Sequence, residues 1–590
     1  MNTKTANQKM ITALMFRLLP VQVVLVMVGA VNGLVSGFFA SNYVGINAMT
    51  AVGLFLPVTT FTNAVSTLLV GGAAILCGKY MGQNEQEKLQ NLFILDLLVS
   101  TAVSVIIIAL YVICGTFDLT GFLTSDETVR PVFNQYLLGQ AIGVFPMIIG
   151  NQMPAFLALE NKGSRTFTAS IVYIVVNILL NFLFVKVMHL EAFGLALASS
   201  LGLWAFMGVE TQYFFTRKAF LRLKPQKIAS GDTAEIIRIG FPGAATYIYM
   251  TLRGIMVNRL IESFVGSVGI SAFAAANNIL GIFWAIPGGM LAVSRLLISV
   301  SVGEEDRQSL TEIMRCMFKQ YLPLMCAVSA GIICAAVPFT RIYFRDPTQA
   351  VYGMTVWGLR ILPLCMPLSV IGMHFTCYGQ ASGKQAFVNL YSLLDGVVHV
   401  VGFTALLIPV MGMNSAYVAN VLNGICTTIL LFVYAAWKKR GIPSNMEELM
   451  VIPKGFGVPE DERMELTVRN MEEVTSISEK VHAFCTGRGI DPRRSYLAAL
   501  FMEEMAGNIV DHGFTKDSKK HAVDVRVIHK ENDIILRLRD NCIPFDPAER
   551  ARLETGGDVM KNIGIRMVFQ MAEDVRYQNI FGLNVLTMRI

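Results

Sequence analysis

From about residue 10 to residue 440 the chain is almost continuously apolar, in runs of twenty or so residues separated by short polar turns. A helical run of about 20 apolar residues spans the hydrocarbon core of a bilayer, and a helix satisfies its own backbone hydrogen bonds there. Twelve spans are expected, at about 11–38, 50–78, 91–114, 132–158, 167–186, 193–216, 240–263, 271–299, 313–338, 353–377, 386–409 and 414–437. Turn chemistry separates them, as in Gly78–Lys79–Tyr80–Met81–Gly82–Gln83–Asn84 and in Asp346–Pro347. A mean hydropathy of +0.54 with 15% charged residues excludes an ordinary soluble chain, in which about a quarter of residues are charged. After Lys4 and Lys9 the sequence turns apolar at Met10 without a small-residue cleavage site, which predicts a retained first span and not a removed signal peptide.

Charge sets the expected orientation. Lys79, Lys88, Lys162, Arg165, Arg217, Lys218, Arg222, Lys224, Lys227 and Lys438–Lys439–Arg440 fall on one side of the spans. Arg130, Lys186, Arg341 and Arg345 are scattered on the other. Positive loops stay inside, so both termini are expected in the cytoplasm, with the spans in the inner (plasma) membrane and lipid around them. Residues 461–590 hold 19 Lys+Arg against 21 Asp+Glu, net −2, which leaves +8 on residues 1–460. That basic excess lies in loops and speaks to topology, not to nucleic acid. The ten cysteines show no CxxC spacing, and eight lie in the apolar part, so free thiols are expected.

The apolar part repeats itself at about 220 residues. Asn177 and Asn181 in the fifth span stand where Asp395 and His399 stand in the eleventh, each pair 218 residues apart, and Gly194 and Gly412 keep the same offset. Gly45 with Thr50–Ala51 matches Gly266 with Ser271–Ala272. Six spans per repeat give the two halves (about 10–220 and 235–440) the same orientation, and such two-bundle proteins hold substrate between the bundles and open by rocking. Asp395 is the outstanding mid-span acid, one helical turn from His399. A bilayer-buried carboxylate is how cation coupling is commonly done, but the pair also reads as a neutral contact within the second bundle or as a substrate contact.

This stretch resembles the multidrug and toxic compound extrusion (MATE) family of the flippase superfamily over about residues 10–440. The resemblance is carried by Tyr43–Val44–Gly45 through Ala51–Val52–Gly53, by Gly78–Lys79–Tyr80–Met81–Gly82, and by Glu160–Asn161–Lys162–Gly163 leading to Asn177–Ile178–Leu179–Leu180–Asn181. Phe193–Gly194–Leu195–Ala196–Leu197–Ala198 completes it. It implies export of small organic, often cationic, compounds driven by inward Na⁺ or H⁺. Two positions depart from the family pattern: Ser36 stands where members commonly carry an Asp, and Met250 about where some place a Glu.

Behind Lys438–Lys439–Arg440 the chain changes character. Gly441, Pro443, Pro453 and Pro459 mark a linker over 441–460 without helical periodicity, which is expected to be a flexible tether. Docking of the acidic module that follows is expected on the basic 217–239 connection. In 461–590, strand alternation over 463–470, 523–529 and 534–538 and helical stretches over 472–486, 492–511 and 559–571 predict an α+β sandwich, closed by a hairpin of 574–577 with 584–590. Glu504, Asn508 and His512 recur every four residues on one helix face. A carboxylate and a carboxamide one turn apart suit a Mg²⁺-bound triphosphate and the orientation of an attacking hydroxyl. Asp540 through Pro547 follow a strand, and Asn562 through Val568 open a helix whose amides suit phosphate.

Those three boxes in this order resemble the histidine-kinase-like (GHKL) ATPase superfamily, most closely its anti-sigma-factor serine kinases. The resemblance implies Glu504 as base and Asn508 as Mg²⁺ ligand. It implies Asp540 as acceptor of the adenine amino group, followed by Cys542, Pro544 and Phe545, and Gly564 near the phosphates. Cys542 stands where the family has glycine, and Lys561–Asn562 replace a glycine-rich lead, with Gly556–Gly557 nearby. The expected whole is an all-α polytopic membrane protein of two six-helix bundles with a C-terminal GHKL-type ATP-binding sandwich. It reads as a MATE-type antiporter whose cytosolic module binds ATP and Mg²⁺ and acts as a regulator or as a kinase on a serine-bearing partner. The alternatives are a membrane sensor that phosphorylates or sequesters a regulator, and a flippase for lipid-linked substrates.

Overall fold

A computed structural model of the protein describes residues 6–83, 85–122, 127–216, 219–222, 230–344, 346–458, 460–515, 521–530, 533–547 and 563–590. Lys4, Arg217, Lys218, Lys224, Lys227, Arg345, Pro459, Gly556–Gly557 and Lys561–Asn562 lie outside them.

Among the described residues, eleven helices are long and apolar enough to cross a membrane. In chain order the membrane half comprises α1 (Ala6–Phe39), α2 (Leu56–Gly82), α3 (Gln86–Thr116), α4 (Arg130–Leu159), α5 (Gly163–Val187) and α6 (Glu191–Phe215). It continues with α7 (Thr233–Phe264), α8 (Ala285–Gly303), α9 (Arg307–Cys334), α10 (Ala350–Ala381), α11 (Gln385–Met411) and α12 (Asn414–Lys439). Helix α7 fills the seventh expected span but carries Arg238, Arg253 and Arg259, which sets it apart from the other eleven. The second and eighth expected spans are each broken. Ile46–Leu54 precedes α2 across Phe55, and Ser267–Phe283 precedes α8 across Trp284. Pro57 and Pro287 sit in the first turns of α2 and α8, where a missing N–H costs nothing but the preceding helix cannot continue.

The two halves meet through α2, which crosses α7 and α8, and through α1, which packs on α8. The crossing is backbone against backbone: a methyl group on Gly303 would overlap the Lys79 carbonyl, and one on Gly240 the Leu68 carbonyl. Gly303→Ala is therefore expected to cost about 1–3 kcal/mol through overpacking, seen as a lower melting temperature of the detergent-purified protein. An unchanged melting temperature would mean the crossing is slack.

The module is a five-stranded antiparallel sheet in the order β1-β2-β3-β5-β4. The strands are β1 (Arg463–Val468), β2 (Val523–Lys530), β3 (Asp533–Asp540), β4 (Asp574–Ile580) and β5 (Leu583–Arg589). Helices α13 (Met471–Thr486), α14 (Pro492–Asn508) and α15 (Ile563–Met571) complete it. Asn470 caps α13 by accepting the Glu473 N–H, and Asp491 caps α14 by accepting from Arg493 and Arg494. Val525, Val527, Leu536 and Leu538 point to one face and bury against Ile477, Val481, Phe501 and Met502. The period of two then sends Arg526, Arg537 and Arg539 to the other face, with Arg526 paired to Arg537 and Asp524 to Arg539 in the β2–β3 register.

The linker is not the loose tether its prolines suggest. Asn445 caps a short helix, Met446–Leu449. Met446, Leu449, Met450, Ile452 and Phe456 pack on the membrane half's core. Arg307 pairs with Glu447 at 2.7 Å and donates to the Pro453 carbonyl at 2.7 Å, while Lys384 Nζ donates to the Met450 and Val451 carbonyls, each at 2.8 Å. Apolar contacts and two cations on backbone carbonyls outweigh the conformational freedom of this stretch.

Residues 217–218 and 223–229 of the connection on which docking is expected lie outside the described residues; among the described residues the module docks on another turn, through basic side chains. Arg526, Arg537 and Arg539 converge on Asp306, in the α8–α9 turn, at 2.7, 2.8 and 3.7 Å. Arg537 and Arg539 also reach Glu304, at 3.1 and 2.6 Å. The β4–β5 turn goes to the first half, where the Phe581 carbonyl accepts from Arg17 of α1. Ile580, Phe581 and Val585 join the membrane half's core.

Candidate functional site

The predicted boxes come together at one end of the module. Asn508, His512, Asp540, Cys542 and Phe545 line a cavity of about 50 Å³ with Met505, Gly513, Ile565 and Tyr577. Asp540 ends β3, where the sheet opens, so its carboxylate faces the gap between sheet and α14. Its Oδ1 accepts from the Cys542 N–H and from Asn584 Nδ2, both at 2.8 Å, and the Cys542 thiol also hydrogen-bonds the carboxylate. Burial pushes the Asp540 carboxyl up from the usual carboxylate range, and the Asn584 and Cys542 hydrogen bonds pull it part of the way back. Pro544 is exposed and Phe545 half-buried.

Cys542 adopts a φ open to any residue, since it is not among the residues with positive φ. The glycine expected there is thus not required by the backbone. The thiol fills space beside Gly513, where a methyl group would lie 3.1 Å from Sγ. Cys542→Gly is expected to enlarge the cavity and tighten nucleotide binding, measured by calorimetric titration of the full chain; weaker binding would show that the thiol contributes contact instead of crowding.

Along α14, Asn508 Nδ2 donates to the Glu504 carbonyl at 2.8 Å. Gly564, in the first turn of α15, lies so close to Glu504 that any Cβ there would overlap its carboxylate. Glu504 thus lies beside both Asn508 and Gly564. The 559–562 part of the expected last helix lies outside the described residues.

Sequence patterns did not reveal what lies beneath Asp540. Asn584 Oδ1 accepts from the Tyr577 hydroxyl at 2.8 Å and from Asn579 Nδ2 at 2.9 Å. Asn579 Oδ1 in turn accepts the Gly582 N–H at 3.1 Å. A continuous hydrogen-bonded chain therefore joins the Asp540 carboxylate to the β4–β5 turn that is seated on the membrane half.

In the membrane half, Asp395 and His399 do not form a pair by themselves. Asn423 of α12 donates to Asp395 Oδ1 at 2.8 Å and meets His399 Nδ1 through its Oδ1 at 3.2 Å. Arg253 of α7 acts electrostatically on the same carboxylate. The matching place in the first half is uncharged. Asn177 donates to Asn32 Oδ1 at 3.2 Å and to Ser199 Oγ at 3.3 Å, Ser36 meets Ser199 at 3.5 Å, and Asn181 donates to the Asn177 carbonyl at 2.8 Å. The repeat thus places an amide–hydroxyl cluster in one half and an ionisable one in the other. Among the described residues no group of three or more His, Cys, Asp or Glu could hold a metal ion, and all ten cysteines are free.

Comparison with known proteins follows the same division. The MatE family matches residues 23–183 and 242–405, and the histidine kinase-like ATPase domain matches 467–590. A relative from Geobacillus kaustophilus, "Probable multidrug resistance protein NorM", is 21% identical over 314 residues, covering 51% of this chain and 67% of its own. A protein of the same name from Halalkalibacterium halodurans is 21% identical over 310 residues, 51% of this chain and 65% of that one. The chain thus spans about two thirds of the curated relatives it matches. A crystal structure of MATE in complex with MaL6 superposes with a TM-score of 0.67 at 19% identity, over 73% of this chain and 98% of that one. A MOP superfamily transporter from Pyrococcus furiosus does so with a TM-score of 0.66 at 19% identity, over 74% and 98%. With more than half of its length in the family match and both halves superposing on that fold, the chain belongs to the MatE family and carries a histidine kinase-like ATPase domain behind its membrane half.

Proposed function

We propose that the protein exports small organic compounds across the inner membrane and that nucleotide bound by its cytosolic module regulates this flux. Family membership and the names of the relatives support the first part, and the Lys/Arg asymmetry supports a cytoplasmic module. The hydrogen-bonded chain from Asp540 through Asn584 and Asn579 to the docked β4–β5 turn carries the second. Asp540 would receive the adenine amino group, Asn508 would hold Mg²⁺, and Glu504 would act as base on an attacking hydroxyl. ATP supplies a transferable γ-phosphoryl group when bound. The module is embedded in its own membrane half, which favours control of that half over a freely diffusing kinase. The test is flux of a fluorescent organic cation in proteoliposomes with Mg²⁺–ATP on the module side. Flux that responds to ATP in the natural chain and not in Asp540→Ala supports the proposal; equal flux under all conditions would leave signalling, and movement of a lipid-linked probe alone would leave the flippase alternative.

For coupling to Na⁺ or H⁺, the Asp395–Asn423–His399 cluster is the candidate, since the first half offers only neutral groups at the matching place. Asp395→Asn is expected to abolish the dependence of flux on the ion gradient. Retention of that dependence would place coupling elsewhere, for instance at Asp96, which is fully buried with neither carboxylate oxygen hydrogen-bonded.

A further inference from the structure

The outer face of the sheet is a docking surface with two feet, the first anchored chiefly in the second six-helix half and the second in the first half. Its first foot is the arginine triad on β2 and β3, which takes up Asp306 and Glu304 at the end of α8 in the second half. All five side chains are at least nine-tenths buried: Asp306 at 0%, Arg526 at 5%, Arg539 at 7%, and Arg537 and Glu304 at 8% exposed. Arg539 also donates to Asn7 of α1 at 3.1 Å, and Asn7 meets Gln308 and Ser309 of α9, each at 3.3 Å. The second foot is the β4–β5 turn. Gly582, at φ +81°, brings the backbone so close that a Cβ would lie 2.6 Å from Asn161 Nδ2 and 2.8 Å from Arg17. Arg17 ties the turn to Asn161, in the α4–α5 connection of the first half, at 3.1 Å. Strands β3, β5 and β4 are consecutive neighbours in one hydrogen-bonded sheet, so the distance between the feet is fixed.

Nothing in a histidine kinase-like fold requires three arginines on the sheet face away from its helices; in an isolated module that face would meet water. Burying them is costly unless each is paired, and here the partners come from a turn more than 200 residues earlier in the chain. The halves themselves touch through α2 against α7 and α8 and through α1 against α8 and α9, at the ends that face the module and toward mid-membrane. Rocking of one bundle against the other separates those ends. A rigid sheet bonded to both cannot follow that motion.

We propose that the docked sheet is a clamp, an interaction surface whose partner is the paired module-side ends of both halves, so that the transporter opens on that side only when one foot is released. The proposal deepens the regulatory reading above and rests on it for physiological meaning, but its geometry stands by itself. The test is the distance between spin labels on Lys162→Cys and Lys438→Cys, exposed positions on the module side of the first and second halves. It is measured on the full chain in lipid nanodiscs, in a background where the exposed Cys326 and Cys334 are serine. The clamped chain should give one short distance. Arg537→Ala/Arg539→Ala should add a longer one, shifting the closed-to-open ratio roughly tenfold. Glu304→Gln/Asp306→Asn breaks the same foot from the membrane half with the module's sequence untouched, and should do the same even where the arginine variant folds poorly. An unchanged distance distribution in both variants would overturn the clamp. The measurement needs no substrate, so absence of flux in every variant would count against the transporter reading alone.

Discussion

Asp306→Ala is expected to cost about 3–5 kcal/mol, the range for removing one partner of a buried ionic cluster. Three guanidiniums share that carboxylate, and its removal leaves Arg537 and Arg539 with Glu304, Asn7 and Ser309 and Arg526 with Glu465 and Gln308 inside a nearly dry interface. The observable is release of the module in the intact chain, read as faster proteolysis in the 441–458 linker and as loss of the upper thermal transition. A variant as protease-resistant as the natural chain would show that apolar contacts of Ile580, Phe581 and Val585 suffice for docking. The acid response follows from the same site. Burial alone would raise the Asp306 carboxyl, but Arg526, Arg537 and Arg539 together hold it well below the usual carboxylate range. A carboxyl lowered on docking contributes fully above its free value of about 3.9 and loses that contribution as pH falls toward the docked value. Docking should therefore persist at pH 5 and loosen only below about 4. Asp524, beside the same arginines, is raised because burial outweighs their pull, and the Asp306 charge adds to the rise.

Asp540→Ala is expected to weaken nucleotide binding by the module by about one to two orders of magnitude. It removes the proposed acceptor for the adenine amino group and leaves buried Asn584 Nδ2 with only the Cys542 carbonyl, at 3.1 Å. Loss of one charge-assisted hydrogen bond, about 1.5–3 kcal/mol, corresponds to roughly 10- to 150-fold in affinity. Because burial raises this carboxyl, and the acceptor must be ionised, affinity should fall on acidification at a pH above that expected for a free Asp. Calorimetric titration of the full chain with Mg²⁺–ATP checks both points. Undiminished binding by the variant would remove Asp540 from the site. Docking, by contrast, should be little changed, because Asp540 lies at the end of β3 and the feet lie on Arg526, Arg537, Arg539 and the β4–β5 turn.

The helical boxes of the module were legible because their information is local. Glu504 and Asn508 are one turn apart, and any helix through them puts both on one face; Asp540 follows a strand whose alternation is plain. Twelve helical runs were legible for the same reason, since lipid demands a local solution for every backbone group. The breaks at Phe55 and Trp284 were missed although Pro57 and Pro287 mark them, because hydropathy runs on across a helix break. Alternation also determined that Arg526, Arg537 and Arg539 share the outer face of the sheet. What meets them was beyond any local pattern, since Glu304 and Asp306 approach only when the linker has packed and the module is seated. The strand order β1-β2-β3-β5-β4 likewise decided that Asn584 sits beneath Asp540 and that Asn579 hands the chain on to Gly582. Periodicity says which way a side chain faces. Only the tertiary structure chooses its partner, because contacts between residues hundreds of positions apart are set by the packing of whole elements and by the need to pair every buried charge.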